Sequence, residues 1–285
     1  MGLITRRRFL KLALGAAGAA LSTGAYAHLV EPRWVEYVPV AMPLAHLPPE
    51  LAGKRLVQMS DLHIGNRFDW GYIVRALERV RRMQPDFVVY TGDFVTYESA
   101  QQIDQLAAVM QHAPPGRLGT VAILGNHDYG PGWSNPRIAA QVAQRLNEAG
   151  VTVLRNQVTL CAGLQIGGVD DWWGPNFDLE AVISRLEPAL PTVVLSHNPD
   201  SADLPGWGDY RGWILSGHTH GGQVKPPFLP PPALPVRNKR YSAGLFELAS
   251  GRRMYINRAL GNLWPVRFNV RPEVTVFTLA SQQQL

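Results

Sequence analysis

Three features of the chain predict an α/β fold built on a largely parallel sheet. Short apolar strands alternate with amphipathic helical stretches from residue 55 to about 154, the second half turns strand-rich, and polar residues collect where strands end. The 285 residues, 46% hydrophobic and 17% charged, suffice for one large domain or two smaller ones with a sizeable core.

At the start, TRRRFLK (Thr5 to Lys11) precedes a weakly apolar run ending in Ala25, Tyr26 and Ala27, an A-x-A cleavage pattern. Thr5, the paired Arg6 and Arg7, Phe9, Leu10 and Lys11 resemble a twin-arginine (Tat) signal. The resemblance implies the Tat export machinery as a partner and a periplasmic location. Leu12 to Ala27 is short and rich in Ala and Gly, whereas spanning a membrane needs about 20 apolar residues. Cleavage after Ala27 is therefore the favoured reading, and an uncleaved form tethered to the inner membrane is the alternative.

The formal charge is +5, but Arg6, Arg7, Arg8 and Lys11 are four of the 27 basic residues. The remaining 23 face 22 acidic residues, so the body of the chain is close to neutral. A binder of duplex nucleic acid needs a basic stripe on the folded domain, and that partner is not expected. Cys161 is the only cysteine, which rules out an intramolecular disulfide.

Residues 28 to 53 hold five prolines and one strand pattern, WVEYVPV, as a lead-in that packs on the edge of the domain. RLVQMS (55–60) is a strand ending at Asp61. WGYIVRALERVRRM (70–83) carries helical spacing through Ile73, Leu77 and Val80, and DFVVYTG (86–92) is a strand ending at Asp93. A helix follows over 103–111, and TVAILG (120–125) ends at Asn126. Pro136 opens a further helix that Gly150 stops. Shorter strands fit 151–154, 164–169, 192–196, 212–215, 244–248, 253–257 and 273–279, in a hairpin-like arrangement that forms a second sheet packed on the first. The proline-rich stretch 225–240 cannot be a central strand.

Five clusters fall at strand ends: SDLH with Asp61 and His63, TGD with Asp93, GNHD with Asn126, His127 and Asp128, SHNPD with His197, and GHTH with His218 and His220. Each alone reads as a turn or a helix cap. Together they gather five of the eight histidines with carboxylates at the carboxyl ends of strands, where open α/β sheets bind ligands. His218 and His220 are two apart and would converge if the strand before them stays extended through Thr219. Oxygen and imidazole donors without thiolate suit Mn, Fe, Co or Zn. Seven such ligands exceed what one ion takes and suffice for two with a shared carboxylate. Such a pair can hold a hydroxide nucleophile and clamp a phosphoryl group.

The ordered set DLH, GD, GNHD, H and GHTH resembles the calcineurin-like metallophosphoesterase superfamily over residues of about 55 to 225. With the export signal, GHTHGGQ, KRYSAGLF and RPEVTVFTL are similar to the bacterial YaeI-type phosphodiesterases, a branch related to one class of UDP-2,3-diacylglucosamine hydrolases. The resemblance implies a four-layer sandwich, two packed mixed β-sheets flanked by helices, over residues 54–285, after a signal at 1–27 and the lead-in at 28–53. It also implies a centre of two divalent metal ions, with Asp61, His63 and His220 binding one, Asn126, His197 and His218 the other, and Asp93 bridging. His127 would contact the phosphate and protonate the leaving oxygen, with Asp128 fixing its orientation. Purple acid phosphatases carry a metal-binding tyrosine three residues after the bridging Asp; Thr96 stands there instead.

The implied activity is two-metal hydrolysis of a phosphodiester or pyrophosphate bond, with a leaning to lipid-linked substrates and contact with a membrane surface. Trp172, Trp173, Phe228 and Leu229 are candidates for an apolar rim, and Lys239, Arg240 and Arg258 for extra phosphate contacts, although core packing and solvated charge explain these types more simply. A nucleotide phosphoesterase or nuclease is one rival reading. A catalytically silent scaffold is another, disfavoured because all seven ligand types and His127 are present.

Overall fold

The computed structural model of the chain describes residues 5–65, 69–249 and 251–282. Two six-stranded sheets organise it. The first runs, in spatial order, β1 (Glu36–Leu44), β12 (Glu273–Ser281), β2 (Arg55–Met59), β3 (Phe87–Thr91), β4 (Gly119–Ile123) and β5 (Thr152–Val153). The second runs β10 (Gly244–Glu247), β11 (Arg253–Ile256), β9 (Trp213–Ser216), β8 (Thr192–Leu195), β7 (Leu164–Gly168) and β6 (Gln157–Cys161).

Strand periodicity sorts the apolar side chains into three cores. Phe87 and Val89 face the second sheet while Val88 and Tyr90 face away, and Val193 and Leu195 face the first sheet while Val194 faces away. The middle core lies between the sheets and joins Leu56, Phe87, Val121 and Ile123 to Ile166, Val193, Trp213 and Leu215. Outside the first sheet pack α2 (Gly71–Met83), α3 (Gln101–Met110) and α4 (Pro136–Glu148), through Leu77, Leu106, Val142 and their neighbours. The stripe Tyr72, Ile73, Ala76, Leu77 and Val80 on α2 has the 3.6-residue spacing of a buried face. Asn135 starts α4, its Oδ1 accepting from Arg137 N at 3.0 Å with Pro136 in the first turn. Outside the second sheet the short α5 (Leu179–Ile183) packs with Trp207 and Tyr241. The result is the four-layer α/β sandwich, in which, among the described residues, one short α-helix covers the second outer face.

Two expectations change. The second sheet is not mainly hairpins: β7, β8, β9 and β11 are parallel, and only β6–β7 and β10–β11 pair antiparallel. The final strand β12 returns to the first sheet, parallel to β1 and antiparallel to β2. β6 and α5 were not anticipated, because an edge strand of half-exposed residues and a helix of five residues carry little periodic signal. Since β2, β3, β4, β8 and β9 are parallel within their sheets, the carboxyl ends within each sheet share one edge.

Beyond those ends a buried arginine ties the last loop together. Arg267 donates to Asn262 Oδ1 and to the carbonyls of Arg258, Gly261 and Val270, while its backbone N–H donates to Ala27 O at 2.9 Å. Leu260 N and Gly261 N in turn donate to Ser60 O and Asp61 O, each at 2.8 Å. The loop that Arg267 holds therefore braces the first metal-ligand motif. β1 lies at the edge of its sheet, where Pro39 and Pro43 are tolerated because one side needs no ladder partner. The preceding α1 (Arg6–Ala25) buries no residue. Among the described residues no helix is long and apolar enough to cross a membrane.

Candidate metal centre

At the strand ends the chain turns within one or two residues, and the turning residues are the candidate ligands themselves. Asp61, His63, Asp93, His218 and His220 have φ of 52°, 47°, 55°, 68° and 52°, in the left-handed region that side chains other than glycine rarely occupy. Each such conformation costs on the order of 1–3 kcal/mol and persists only where the surroundings enforce it. The extended path through Thr219 expected from spacing is absent: β9 ends at Ser216 and Thr219 is right-handed, with φ −82°. His218 and His220 are aimed by two left-handed turns and belong to two different groups. Close loop approach needs glycine here, since a Cβ on Gly217 would lie 1.9 Å from Ser60 Oγ and one on Gly125 2.3 Å from Asp93 Oδ1.

Two buried groups result: Asp61, His63 and His220, and Asp93, His197 and His218. In the first, His63 Nε2 and His220 Nε2 are 3.0 Å apart, and Asp61 Oδ1 lies 3.4 Å from His220 Nε2. In the second, His197 Nε2 is 3.2 Å from both His218 Nδ1 and Asp93 Oδ2. Ligands about 2.1 Å from a common ion stand roughly 3–3.5 Å from one another, so the spacing fits an ion in each group. Asp93 Oδ2 is also 3.7 Å from His63 Nε2, so one oxygen faces both groups. The other, Oδ1, accepts from His127 N at 2.9 Å. Asn126 is buried and neither atom of its amide has a hydrogen-bond partner, as expected of a side chain whose oxygen awaits a cation.

The far nitrogens of His63, His197 and His218 meet polar groups that orient the rings, while that of His220 has no partner. His197 Nδ1 lies 2.7 Å from Thr91 O and His218 Nε2 lies 2.9 Å from Pro235 O, so each donates there and turns its other nitrogen into the group. His63 Nδ1 meets Thr96 Oγ1 at 3.2 Å. Thr96, noted in the sequence only for not being tyrosine, thus orients a ligand. The backbone acceptors Thr91 O and Pro235 O could not be read from sequence, because any residue supplies a carbonyl.

Burial lowers His63 and then His220 lowers it further, so it stays neutral; His218, lowered by burial and then by His197, falls to about 3. His197 behaves oppositely. Burial lowers it, but the Asp93 carboxylate beside it outweighs that and raises it well above the usual imidazole value. Asp61 is pushed up by burial and drawn down further by His220, to about 2.

His127 sits beside the first group, its ring 5.1 Å from that of His63, with Nδ1 3.4 Å from Thr96 O. The expected pairing of Asp128 with this ring is not found. Asp128 accepts from Phe94 N at 2.8 Å, Val95 N at 3.2 Å and Gly125 N at 2.9 Å, so its carboxylate is consumed in joining the GNHD and TGD loops. It holds His127 through the backbone only. Of the proposed rim, Trp173 meets the His218 ring edge-on at 4.5 Å and stacks at 4.9 Å on Trp133, which the sequence reading overlooked because it lies outside every motif. Trp172 lies under Arg237, and Phe228 lines a separate cavity with Tyr26 and Arg271. Leu229 is exposed. Lys239 is tied to the carbonyls of Leu234 and Val236, and Arg258 to Glu36 and Glu273, while Arg240 is exposed. Neither Lys239 nor Arg258 is free for phosphate. A cavity of about 730 Å³ lies away from the centre, lined by Thr192 and Trp213 at the amino ends of β8 and β9.

An ion entering the second group must displace the proton that Asp93 keeps on His197. That proton is bound below the raised value of His197 and lost above it, so acid pH opposes binding. Mn affinity measured by calorimetry should rise with pH through the neutral range, by up to about tenfold per unit for one proton released. Buffers of different ionisation enthalpy should report that release; a pH-independent affinity would contradict it.

Residues 54–222 match the family model of the calcineurin-like phosphoesterases. The chain is 35% identical to the metallophosphoesterase YkuE of Bacillus subtilis, over 98% of each chain, and 33% identical to the phosphodiesterase YaeI of Escherichia coli, over 97% of this chain and all of that one. It is 29% identical to the UDP-2,3-diacylglucosamine pyrophosphatase LpxG of Chlamydia trachomatis, over 90% of this chain and 92% of that one. A fold that gathers two buried donor groups around one shared carboxylate, and likeness that runs the length of the chain, agree on one conclusion: the protein belongs to the calcineurin-like metallophosphoesterases, in their YaeI-type branch, and is a metal-dependent phosphoric ester hydrolase.

Proposed function

We propose that the enzyme is exported and cleaves a phosphodiester or pyrophosphate bond in a lipid-linked substrate. The observation that carries the substrate class is the stacked pair Trp133 and Trp173, set against His218 and beside His127, with Trp133 36% exposed. An aromatic wall next to a phosphate site favours an apolar or planar group on the substrate. The likeness to LpxG, named for a lipid-bearing pyrophosphate, supports the same reading.

The two ions, when bound, activate water and neutralise charge on the phosphoryl oxygens. Asp61, His63 and His220 would hold one and Asn126, His197 and His218 the other, with Asp93 Oδ2 facing both groups. His127 Nδ1 directs its proton to Thr96 O, which leaves Nε2 as the nitrogen available to the cleft. There it binds a phosphate oxygen and gives a proton to the leaving group. Asp128 holds the loop from which His127 projects.

Export rests on the twin-arginine pattern and on α1, which buries no side chain and so is open to recognition. A domain that stays near the membrane through α1 would meet lipid-linked substrates at the membrane surface.

Three outcomes are expected. Trp173→Ala should raise KM for a lipid-linked pyrophosphate by up to about tenfold, the worth of one lost aromatic contact, while leaving hydrolysis of a glycerophosphodiester without apolar or planar groups near wild type; an equal change on both would remove the lipid reading. In His127→Ala with both ions bound, kcat should fall about 100-fold or more for diesters with alkoxide leaving groups, and much less for nitrophenolate, which departs without a proton. Equal losses would take the acid role from His127. Finally, replacing Arg6 and Arg7 by Lys should hold the protein in the cytoplasm; if fractionation finds variant and wild type together, the signal is misread.

A further inference from the structure

The loop after β7 carries two aspartates that none of the five motifs includes. The Tyr129 hydroxyl donates to Asp170 Oδ1 at 2.6 Å, Arg155 Nε donates to Asp170 Oδ2 at 3.2 Å, and Arg155 Nη2 donates to the Tyr129 oxygen at 2.8 Å. This loop is thereby clamped to the helical turn Asn126–Tyr129, which presents Asn126. Asp171 follows, 1% exposed. Its Oδ1 accepts from Trp173 N at 2.8 Å, and its Oδ2 is buried without a hydrogen-bond partner. The charges that act on it include His197 and Asp93, both of the second group.

Asn126 presents the complementary deficit. It is 1% exposed, and both its Oδ1 and its Nδ2 lack partners. Leaving buried polar groups unpaired costs on the order of 1–3 kcal/mol each, and more for a charged one. A cation satisfies Oδ1 alone, because the NH2 group has protons to donate and no lone pair to offer. Nδ2 still needs an acceptor. Among the described residues the other buried oxygens without a partner are on Gln58, Tyr90, Gln105 and Ser216, in β2, β3, α3 and β9. Asp171 alone is on the segment clamped to the Asn126 turn.

We propose that Asp171 is a positioning residue for the second ion: Asn126 Nδ2 and Asp171 Oδ2, not bonded to each other in this structure, pair when an ion takes Asn126 Oδ1, and that bond keeps Oδ1 on the metal. The proposal rests on the two-ion centre and adds a function for a carboxylate that the hydrolysis itself does not use. The same carboxylate anchors Trp173 N, so one residue links the metal centre to the aromatic wall.

The test uses the purified full chain, stripped with chelator and titrated with Mn, with stoichiometry by elemental analysis and affinity by calorimetry. Asp171→Asn keeps an oxygen for Trp173 N but sets one NH2 group against another. Second-ion affinity should fall about 10- to 100-fold, as when a ligand loses its outer partner, while first-ion affinity holds. In an Asn126→Asp background the sign should invert: the carboxylate at 126 then has an oxygen to receive the amide, and Asp171→Asn should strengthen binding. The metal-free melting temperature controls for folding. A lowered melting temperature with unchanged second-ion affinity makes Asp171 structural and overturns the proposal, as does an effect of the same sign in both backgrounds. Wild-type protein that takes up only one ion would remove the two-ion centre, and the proposal with it.

Discussion

The centre depends on one buried carboxylate. Asp93 turns Oδ2 toward His63 and His197 and gives Oδ1 to the backbone of His127, so both ligand groups and the proposed acid are referenced to the same three atoms. Its charge outweighs burial at His197, which holds a proton, whereas at His63 and His218 burial and a neighbouring histidine outweigh it. A buried cluster of imidazole nitrogens and carboxylates is unfavourable by itself and becomes favourable when cations occupy it. The centre is thus a cavity shaped for positive charge, and the proton on His197 is a weak substitute.

Holding that cluster requires a rigid frame, because five of its residues sit in a backbone region they would leave if released. The frame comes from the sheets. The middle core fixes the strands as far as their last residues, and the loops beyond are tied crosswise: Asp128 joins two of them, Arg267 braces the loop behind Asp61, and Asp170 with Tyr129 joins the loop after β7 to the Asn126 turn. Polar residues that look catalytic in sequence therefore spend their hydrogen bonds on geometry. Asp128 is the clearest case: its carboxylate meets three backbone N–H groups and no imidazole.

The elements that sequence predicted well are those with strong local signals. β2, β3, β4 and α2 to α4 lie within a few residues of their expected limits, because buried strands and amphipathic helices repeat with fixed periods and Asn135, Pro136 and Gly150 mark their ends. The pairing of those strands was less legible. Nothing local in the final strand says that it inserts between β1 and β2, or that β7, β8 and β9 run parallel, since register and neighbour are chosen by distant partners.

By itself the sequence determined the chemistry: which donors exist, that they follow strands, and that oxygen and nitrogen ligands outnumber the needs of one ion. Short motifs carry this because ligand identity is a property of the side chain. The tertiary structure decided which donors meet and which atom of each is offered. It divided His218 from His220 by left-handed turns, oriented imidazoles through Thr91 O, Pro235 O and Thr96 Oγ1, brought Trp133 onto Trp173, and took Lys239 and Arg258 out of the site by pairing them elsewhere. Each of these depends on a backbone group or a residue far along the chain, and a contact of that kind exists only once the two sheets have packed.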